Sequence, residues 1–329
     1  MNSQNIRAIF TITFLAVLAC TLMLSASASA GSINKNAGTT GFSFLKLGVG
    51  ARAVALGGAH TALIGDASTI HYNPSGTIFM DGKDFLIGYH NYVLDVQSGF
   101  LAATMPIKNY GHGGVFIEYM NYGDFTRTDA NGLVDESDPT FSGGDFLFGL
   151  NFSRKLHKAV AAGINVKFMS EFADGFSAQA MAVDLGLMYT HSDSLTRVGL
   201  SAFNLGGVLS GFSDNSDVDH KDKLPMYVRA GVSHSLRELP LIVSLDGVLP
   251  NDNDPYVSAG IEFYKIQPLY LRVGYSTFGQ NYKTGSDSDG FGGTSFGFGL
   301  DWKTYQVSYA FMPYLDLGSS HRVTITGEF

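Results

Sequence analysis

Three short motifs in the sequence could carry chemistry. Gly48-Val49-Gly50-Ala51-Arg52-Ala53 matches a dinucleotide-binding turn, but such a site needs a βαβ unit and a parallel sheet, whereas antiparallel-type strands follow here. Gly293-Thr294-Ser295-Phe296-Gly297 matches a nucleophile elbow, but an elbow leads into a helix and this sequence continues as a strand. Asp287-Ser288-Asp289-Gly290 begins like a calcium loop, but Phe291 and Phe298 stand where ligands are needed. None of the three motifs predicts a site.

The remaining reactive side chains form no recognisable set. The nine His residues show neither H-x-H nor H-E-x-x-H spacing, so we predict no metal site and no cofactor. No nucleophile stands with a convincing His and acid partner, so we predict no catalytic residues; an outer-membrane hydrolase is the weakest alternative. The formal net charge of −8 argues against nucleic acid as a partner, because nucleic-acid binding needs a basic surface.

The composition favours a sheet that avoids charge on both faces. Charged residues make up 15% of the chain, against about 25% in an ordinary soluble domain. There are 40 Gly, 25 Phe and 16 Tyr, whereas a helical bundle needs charged helix formers on its exposed faces.

The N-terminus reads as a secretory signal peptide over residues 1–30. Arg7 precedes an apolar stretch over residues 8–24, and Ala28-Ser29-Ala30 forms a small-residue cleavage site. Two alternatives remain open: an uncleaved membrane anchor, and a lipoprotein signal that ends at Cys20. Cleavage after Ala30 removes the single Cys of the chain and with it any disulfide.

From residue 81 onward the sequence alternates with a period of two. Met181, Val183 and Leu185, for example, are separated by Ala182 and Asp184, which is typical of a strand with one apolar face. We predict fourteen strands, each close to the 9–11 residues that cross a bilayer at a tilt. They should begin near Asp84, Gln97, His112, Gly144, Ala159, Ala178, Thr196, Leu224, Leu239, Pro255, Pro268, Thr294, Tyr305 and His321.

Three features favour a transmembrane barrel over a soluble β-sandwich, which would show the same period. The polar row consists mostly of Gly, Ala, Ser, Thr and Asn, and short turns alternate with three long loops over residues 124–143, 205–223 and 279–293. Aromatic residues recur at segment ends, where the interfacial girdles of a barrel lie. They are Tyr89, Tyr92, Tyr119, Tyr122, Phe152, Tyr189, Tyr264, Tyr275, Trp302 and Tyr314.

The two ends of the mature chain complete the prediction. The last alternating segment ends on Phe329, which resembles the C-terminal aromatic that marks outer-membrane barrels for assembly. Residues 31–80 are Gly- and Ala-rich and too few to build a core, so we expect them to form a plug inside a barrel of residues 81–329. Charges on the inward row should pair with one another or with the plug; they are Glu118, Lys167, Asp184, Glu262, Arg272 and Arg322.

The N-terminal block resembles the signature of the PorV/PorQ family, a branch of the FadL-type outer-membrane barrels. The matching segments are residues 44–53, 57–59, 66–67 and 72–76. Weaker matches follow at residues 120–124, 182–186 and 317–318, so the resemblance covers essentially the whole mature chain. Its plug motif corresponds here to Gly48, Gly50, Arg52, Gly57, Gly58, Asn73, Pro74 and Gly76.

The resemblance implies an outer-membrane barrel of fourteen strands with an N-terminal plug, and it implies two roles. FadL-type relatives pass hydrophobic molecules through the barrel and sideways into the bilayer. Relatives of the PorV type are accessory components of type IX secretion and receive cargo that carries a C-terminal sorting domain. The implied partners are membrane lipids and the barrel-assembly machinery, together with either a hydrophobic small molecule or secretion components and cargo.

Overall fold

The computed structural model describes residues 34–134, 137–212, 222–266 and 268–329. The predicted signal peptide, with Arg7 and Cys20, lies outside the described residues. In the described part of the chain, no helix is both long enough and apolar enough to span a membrane.

Fourteen antiparallel strands form a closed barrel in which each strand pairs with its neighbours in sequence and the first pairs with the last. The strands are β1 (Asp84–Asn91), β2 (Gln97–Ile107), β3 (Gly111–Thr126), β4 (Thr140–His157), β5 (Val160–Ala173), β6 (Phe176–Thr190), β7 (Thr196–Ser210), β8 (Tyr227–Ser235), β9 (Leu241–Pro250), β10 (Tyr256–Ile266), β11 (Leu269–Ser276), β12 (Thr294–Trp302), β13 (Tyr305–Pro313) and β14 (Ser319–Glu328).

The barrel confirms the predicted fold class and strand number. β1 closes on β14 in a register that places Asp84 opposite Glu328, and the backbone N–H of Phe329 donates to the Lys83 carbonyl at 3.0 Å. The largest difference in a strand start is at β4, which begins at Thr140 rather than near Gly144. There the pairing continues beyond the expected loop boundary, because Phe125 and Phe141 stack across β3 and β4 with ring centroids 5.3 Å apart.

The alternation of each strand separates an exposed apolar row from a buried polar one. In β14, Val323 and Ile325 are 42% and 40% exposed, whereas Arg322 and Thr324 are 6% and 3% exposed. The barrel is therefore inverted relative to a soluble domain, with its apolar row outside and its polar row facing the lumen. One end of the barrel carries the short turns; the other, here called the long-loop end, carries the long connections from β3 to β4, from β7 to β8 and from β11 to β12.

Several residues of the predicted aromatic girdle are exposed, among them Tyr89, Tyr189 and Trp302, whereas Tyr92, Tyr122 and Tyr314 are half-buried or buried. Tyr92 and Tyr314 pack edge to face with centroids 5.2 Å apart, and Tyr314 is only 4% exposed. Tyr122 donates a hydrogen bond to the buried Asp145 at 2.6 Å. Tyr92 and Tyr314 lie just past strand ends, and Tyr122 lies at a bulge between Asn121 and Asp124 where the alternation is broken.

The inner segment (residues 40–80) packs against the inward row of the strands. It contains short helices at Ser43–Lys46, Ala51–Ala55, Thr69–Tyr72 and Pro74–Phe79, and most of its apolar side chains are buried. Asn73 begins the last of these helices: its side chain accepts from the Ser75 N–H at 3.1 Å, and Pro74 occupies a position that needs no donor.

Glycines on the inward row let the inner segment lie directly on the strands. A Cβ atom added at Gly274 would lie 2.0 Å from the backbone nitrogen of Gly57, and one at Gly163 would lie 2.3 Å from the carbonyl carbon of Pro74. Such distances leave no room for any side chain. The high glycine content thus has a structural reason, because the lumen admits a second layer of backbone only where side chains are missing.

Candidate functional site

A buried ion-pair network ties the inner segment to the barrel wall at Arg52. Both oxygens of Glu262 accept from Arg52, each at 2.8 Å, and a third nitrogen contact reaches the Ile64 carbonyl at 2.9 Å. Glu262 also accepts from Arg272 at 2.7 Å, and Asp66 lies 3.4 Å from Arg52. Three of the predicted residues, Arg52, Glu262 and Arg272, are therefore brought together in one network.

A second anchor joins residues 58–61 to strands β8 and β9. Asp246, on β9, accepts from the backbone N–H groups of His60 and Thr61 at 3.0 and 2.9 Å and from the Thr61 hydroxyl at 2.6 Å. Arg229, on β8, lies 3.2 Å from Asp246 and donates to the Gly58 carbonyl. The His60 ring is fully buried beside this anchor, and burial lowers the pKa of its imidazole below the usual value.

The turn at residues 73–76 is fixed by side-chain amides. Asn73 donates to the carbonyls of Thr61 and Leu187 at 2.9 and 3.1 Å. Asn151 donates to the Pro74 carbonyl at 3.2 Å, and Asn165 donates to the Ile70 carbonyl at 2.9 Å. The carbonyls of Thr61, Ile70 and Pro74 belong to the inner segment and lie outside the strands, so the amides satisfy backbone groups that no strand partner can reach.

The other predicted lumen charges behave in three different ways. Lys167 and Asp184 form a buried ion pair at 2.7 Å. Arg322 donates to the backbone carbonyl of Gly48 rather than to a carboxylate. Glu118 is 4% exposed and differs from the expectation, because the ion pairs among the described residues do not include it.

The chemical motifs of the sequence have structural uses. Ser295, at the centre of the elbow-like motif, lies in β12 and links the Gly57 N–H to the Ala55 carbonyl, at 3.0 and 3.2 Å. Asp289 accepts from the N–H groups of Thr284 and Gly285 at 3.2 and 2.8 Å and so closes its own turn. Within the described residues, no group of three or more His, Cys, Asp or Glu side chains is arranged to hold a metal ion.

A cavity of about 140 Å³ lies between the inner segment and the long-loop end. Its polar groups include the guanidinium groups of Arg229 and Arg322, and Lys46 and Asp252 form an ion pair at its edge. Arg229 forms an ion pair with Asp246, whereas Arg322 forms no direct ion pair in the part of the chain that the structure describes. Six aromatic side chains also contribute to the wall; they are Tyr72, Tyr227, Tyr256, Phe278, Tyr282 and Tyr314.

Sequence reasoning missed Arg229 and Asp246, although the signal was present. Both residues lie on the inward row of strands with regular alternation, between Val228 and Ala230 in one case and between Leu245 and Gly247 in the other. The same parity argument that selected Glu262 and Arg272 would have selected them. The cavity had no local signal, because its walls come from eight separate parts of the chain.

Comparisons with known proteins support the fold. The chain is similar to the toluene transporter TbuX of Ralstonia pickettii, with 14% identity, a TM-score of 0.59 and coverage of 86% of this chain and 98% of that one. It is similar to the toluene transporter TodX of Pseudomonas putida, with 15% identity, a TM-score of 0.56 and coverage of 85% and 96%. A FadL homologue of Pseudomonas aeruginosa is 10% identical, with a TM-score of 0.55 and coverage of 85% and 98%.

No family model matches the sequence, and no curated protein matches it. The structural likenesses show that this chain has the fourteen-stranded barrel fold of FadL-type outer-membrane transporters. The narrower resemblance to the PorV/PorQ family stays a prediction.

Proposed function

We propose that this chain is a non-enzymatic outer-membrane barrel that takes a hydrophobic molecule into the cavity at its long-loop end. The observation that carries the proposal is the cavity itself, which is lined by aromatic side chains and by an arginine that forms no direct ion pair within the described residues. Largely apolar cavities with a few fixed polar groups are typical ligand sites.

The exposed apolar row supports a membrane location. Large hydrophobic side chains stand 37% or more exposed along the outer face of most strands, including Ile87, Leu101, Leu187, Val273 and Ile325. A continuous surface of this kind is incompatible with water and suits lipid. The predicted signal peptide would deliver the chain to the outer membrane, with the long-loop end outside the cell.

The chemistry of the cavity favours a ligand with an apolar body and an acid group. The aromatic rings offer dispersion contacts to the body. Arg322 is 6% exposed and, among the described residues, its guanidinium forms no direct ion pair, so an anionic group would gain a charge-assisted hydrogen bond there.

The inner segment would act as the plug of this channel. Its anchors at Arg52 and at residues 73–76 are ion pairs and amide hydrogen bonds rather than covalent links. They hold the lumen closed, and a rearrangement around them would open a route from the cavity. The division of the mature chain into residues 31–80 and 81–329 belongs to this proposal.

Equilibrium binding to purified protein in detergent tests the proposal. The ligand is a radiolabelled long-chain carboxylic acid. Met312→Trp, which fills the cavity from β13, should reduce binding at least tenfold. Phe311→Trp is the matched control, since this neighbour lies on the opposite face of the same strand. Equal binding by all three proteins would place the ligand elsewhere and refute the proposed site.

The alternative role in type IX secretion rests on the sequence resemblance alone. Co-purification of secretion components or of cargo with the gently extracted protein would support it. Extraction that yields a stoichiometric apolar ligand without protein partners would support transport instead.

A further inference from the structure

A second, much smaller cavity also has Arg322 in its wall. Its volume is about 10 Å³, and it is lined by residues of β1, β2, β3 and β14 and by residues 49–50 of the inner segment. The polar side chains in its wall include His90, Ser98, Glu118 and Arg322. Arg322 therefore lines both cavities.

Three buried polar atoms on residues that line this small cavity have no hydrogen-bond partner among the described residues. They are Oε2 of Glu118, Nε2 of His90 and Nε of Arg322. The three residues are 4%, 3% and 6% exposed. Buried polar atoms without partners are rare in folded proteins, so three on the residues of one wall point to a polar occupant.

The size and the donor pattern of the space fit one water molecule. A cavity of roughly 10–15 Å³ is enough for a single water, and a buried water usually makes about three hydrogen bonds. Nδ1 of His90 lies 3.0 Å from the Ser98 hydroxyl and can donate to it, which leaves Nε2 as an acceptor. A water can then accept from Arg322 and donate to both Glu118 and His90, so that all three atoms are satisfied.

We propose that this cavity holds one ordered water, and that Glu118 acts through it as a positioning residue for Arg322. One guanidinium nitrogen of Arg322 donates to the Gly48 carbonyl, and the water holds Nε. With two points fixed, the guanidinium plane keeps one orientation toward the ligand cavity. The second half of this inference rests on the proposed function, because it concerns how Arg322 receives the acid group of the ligand.

Two substitutions at Glu118 test the hydrogen bond to the water. Glu118→Gln keeps an oxygen that can accept from the water, whereas Glu118→Leu removes the acceptor. The ligands are a long-chain carboxylic acid and its methyl ester. Because both variants lose the carboxyl group, the difference between them isolates the hydrogen-bond acceptor. We expect Glu118→Leu to bind the acid roughly tenfold more weakly than Glu118→Gln, with the ester changing less than twofold.

The control is Glu171→Leu, a half-buried carboxylate on β5 that lines neither cavity; it should discriminate acid from ester as the unmodified protein does. Equal affinities of the two Glu118 variants for the acid would overturn the positioning role, as would an equal loss for acid and ester in Glu118→Leu.

A structure of the unmodified protein at a resolution near 1.8 Å tests the water directly. Density for one water in contact with all three atoms supports the site, and an empty cavity overturns it. If the unmodified protein binds neither ligand, the proposed function fails while the density still decides the water.

Discussion

Replacing Arg52 by Met should loosen the inner segment without unfolding the barrel. The Arg52 side chain is 13% exposed and the Glu262 side chain 4% exposed, and the pair is bidentate at 2.8 Å. Met keeps much of the volume of the side chain but none of its hydrogen bonds. The substitution leaves the Ile64 carbonyl and Asp66 without this donor.

The size of the effect follows from the charges that remain. Removal of one partner of a buried ion pair typically costs about 3–5 kcal/mol, because the other charge is left uncompensated. Glu262 retains Arg272 at 2.7 Å, so we expect the lower end of this range. A loss of about 3 kcal/mol raises the population of the open inner segment by roughly a hundredfold.

Hydrogen exchange on the detergent-solubilised protein measures this opening. Amides in residues 51–66 should exchange about a hundredfold faster in Arg52→Met, while amides of the strands keep their protection. Arg52→Lys should be intermediate, since it restores the charge but not the bidentate geometry.

The control is Arg127→Met, which breaks ion pairs to carboxylates whose side chains are 64% and 37% exposed, those of Asp138 and Asp174; exposed pairs contribute less than about 1 kcal/mol. If Arg52→Met and Arg127→Met accelerate exchange of residues 51–66 equally, the network does not anchor the segment and the reasoning is refuted.

Three further predictions concern pH, packing and assembly. Burial lowers the pKa of His60 and of His71, so the open state of the inner segment binds protons more readily than the closed state. Below pH 6.5, the population of the open state should therefore rise by up to about tenfold per pH unit for each His. His60→Phe should reduce this pH dependence, as measured by hydrogen exchange. Gly274→Val places a Cβ only 2.0 Å from a backbone nitrogen of the inner segment and should displace this segment, which would allow protease cleavage near residue 57. Gly207→Val is the control: a Cβ there meets nothing within 4 Å, so the inner segment should stay protected. Deletion of Phe329 should lower the amount of barrel in outer-membrane fractions, and unchanged levels would remove its role in assembly.

The barrel could be predicted from the sequence because successive residues of a strand point to opposite faces, so the two faces appear as a period of two. β1, β2, β7, β12 and β13 begin where the alternation predicts. The expected position on the outer face was wrong for Tyr122, because a bulge shifts the alternation there. It was also wrong for Tyr92 and Tyr314, which lie beyond the strand ends. Alternation carries information only while the ladder is regular.

The site could be predicted only in part. Parity placed Glu262 and Arg272 on the lumen face, but the second partner of Glu262, Arg52, lies 210 residues from it in the sequence. No local pattern encodes such a pairing. The residues that line the cavity come from distant parts of the chain, so its position depends on the tertiary structure and no single motif predicts it.

Uptake into liposomes tests the central claim most directly. Vesicles that contain the purified protein should accumulate a labelled long-chain carboxylic acid faster than empty vesicles, and vesicles with Met312→Trp should behave like empty ones. If the protein and empty vesicles take up the acid at the same rate, the barrel is not a channel for such molecules and the account is contradicted.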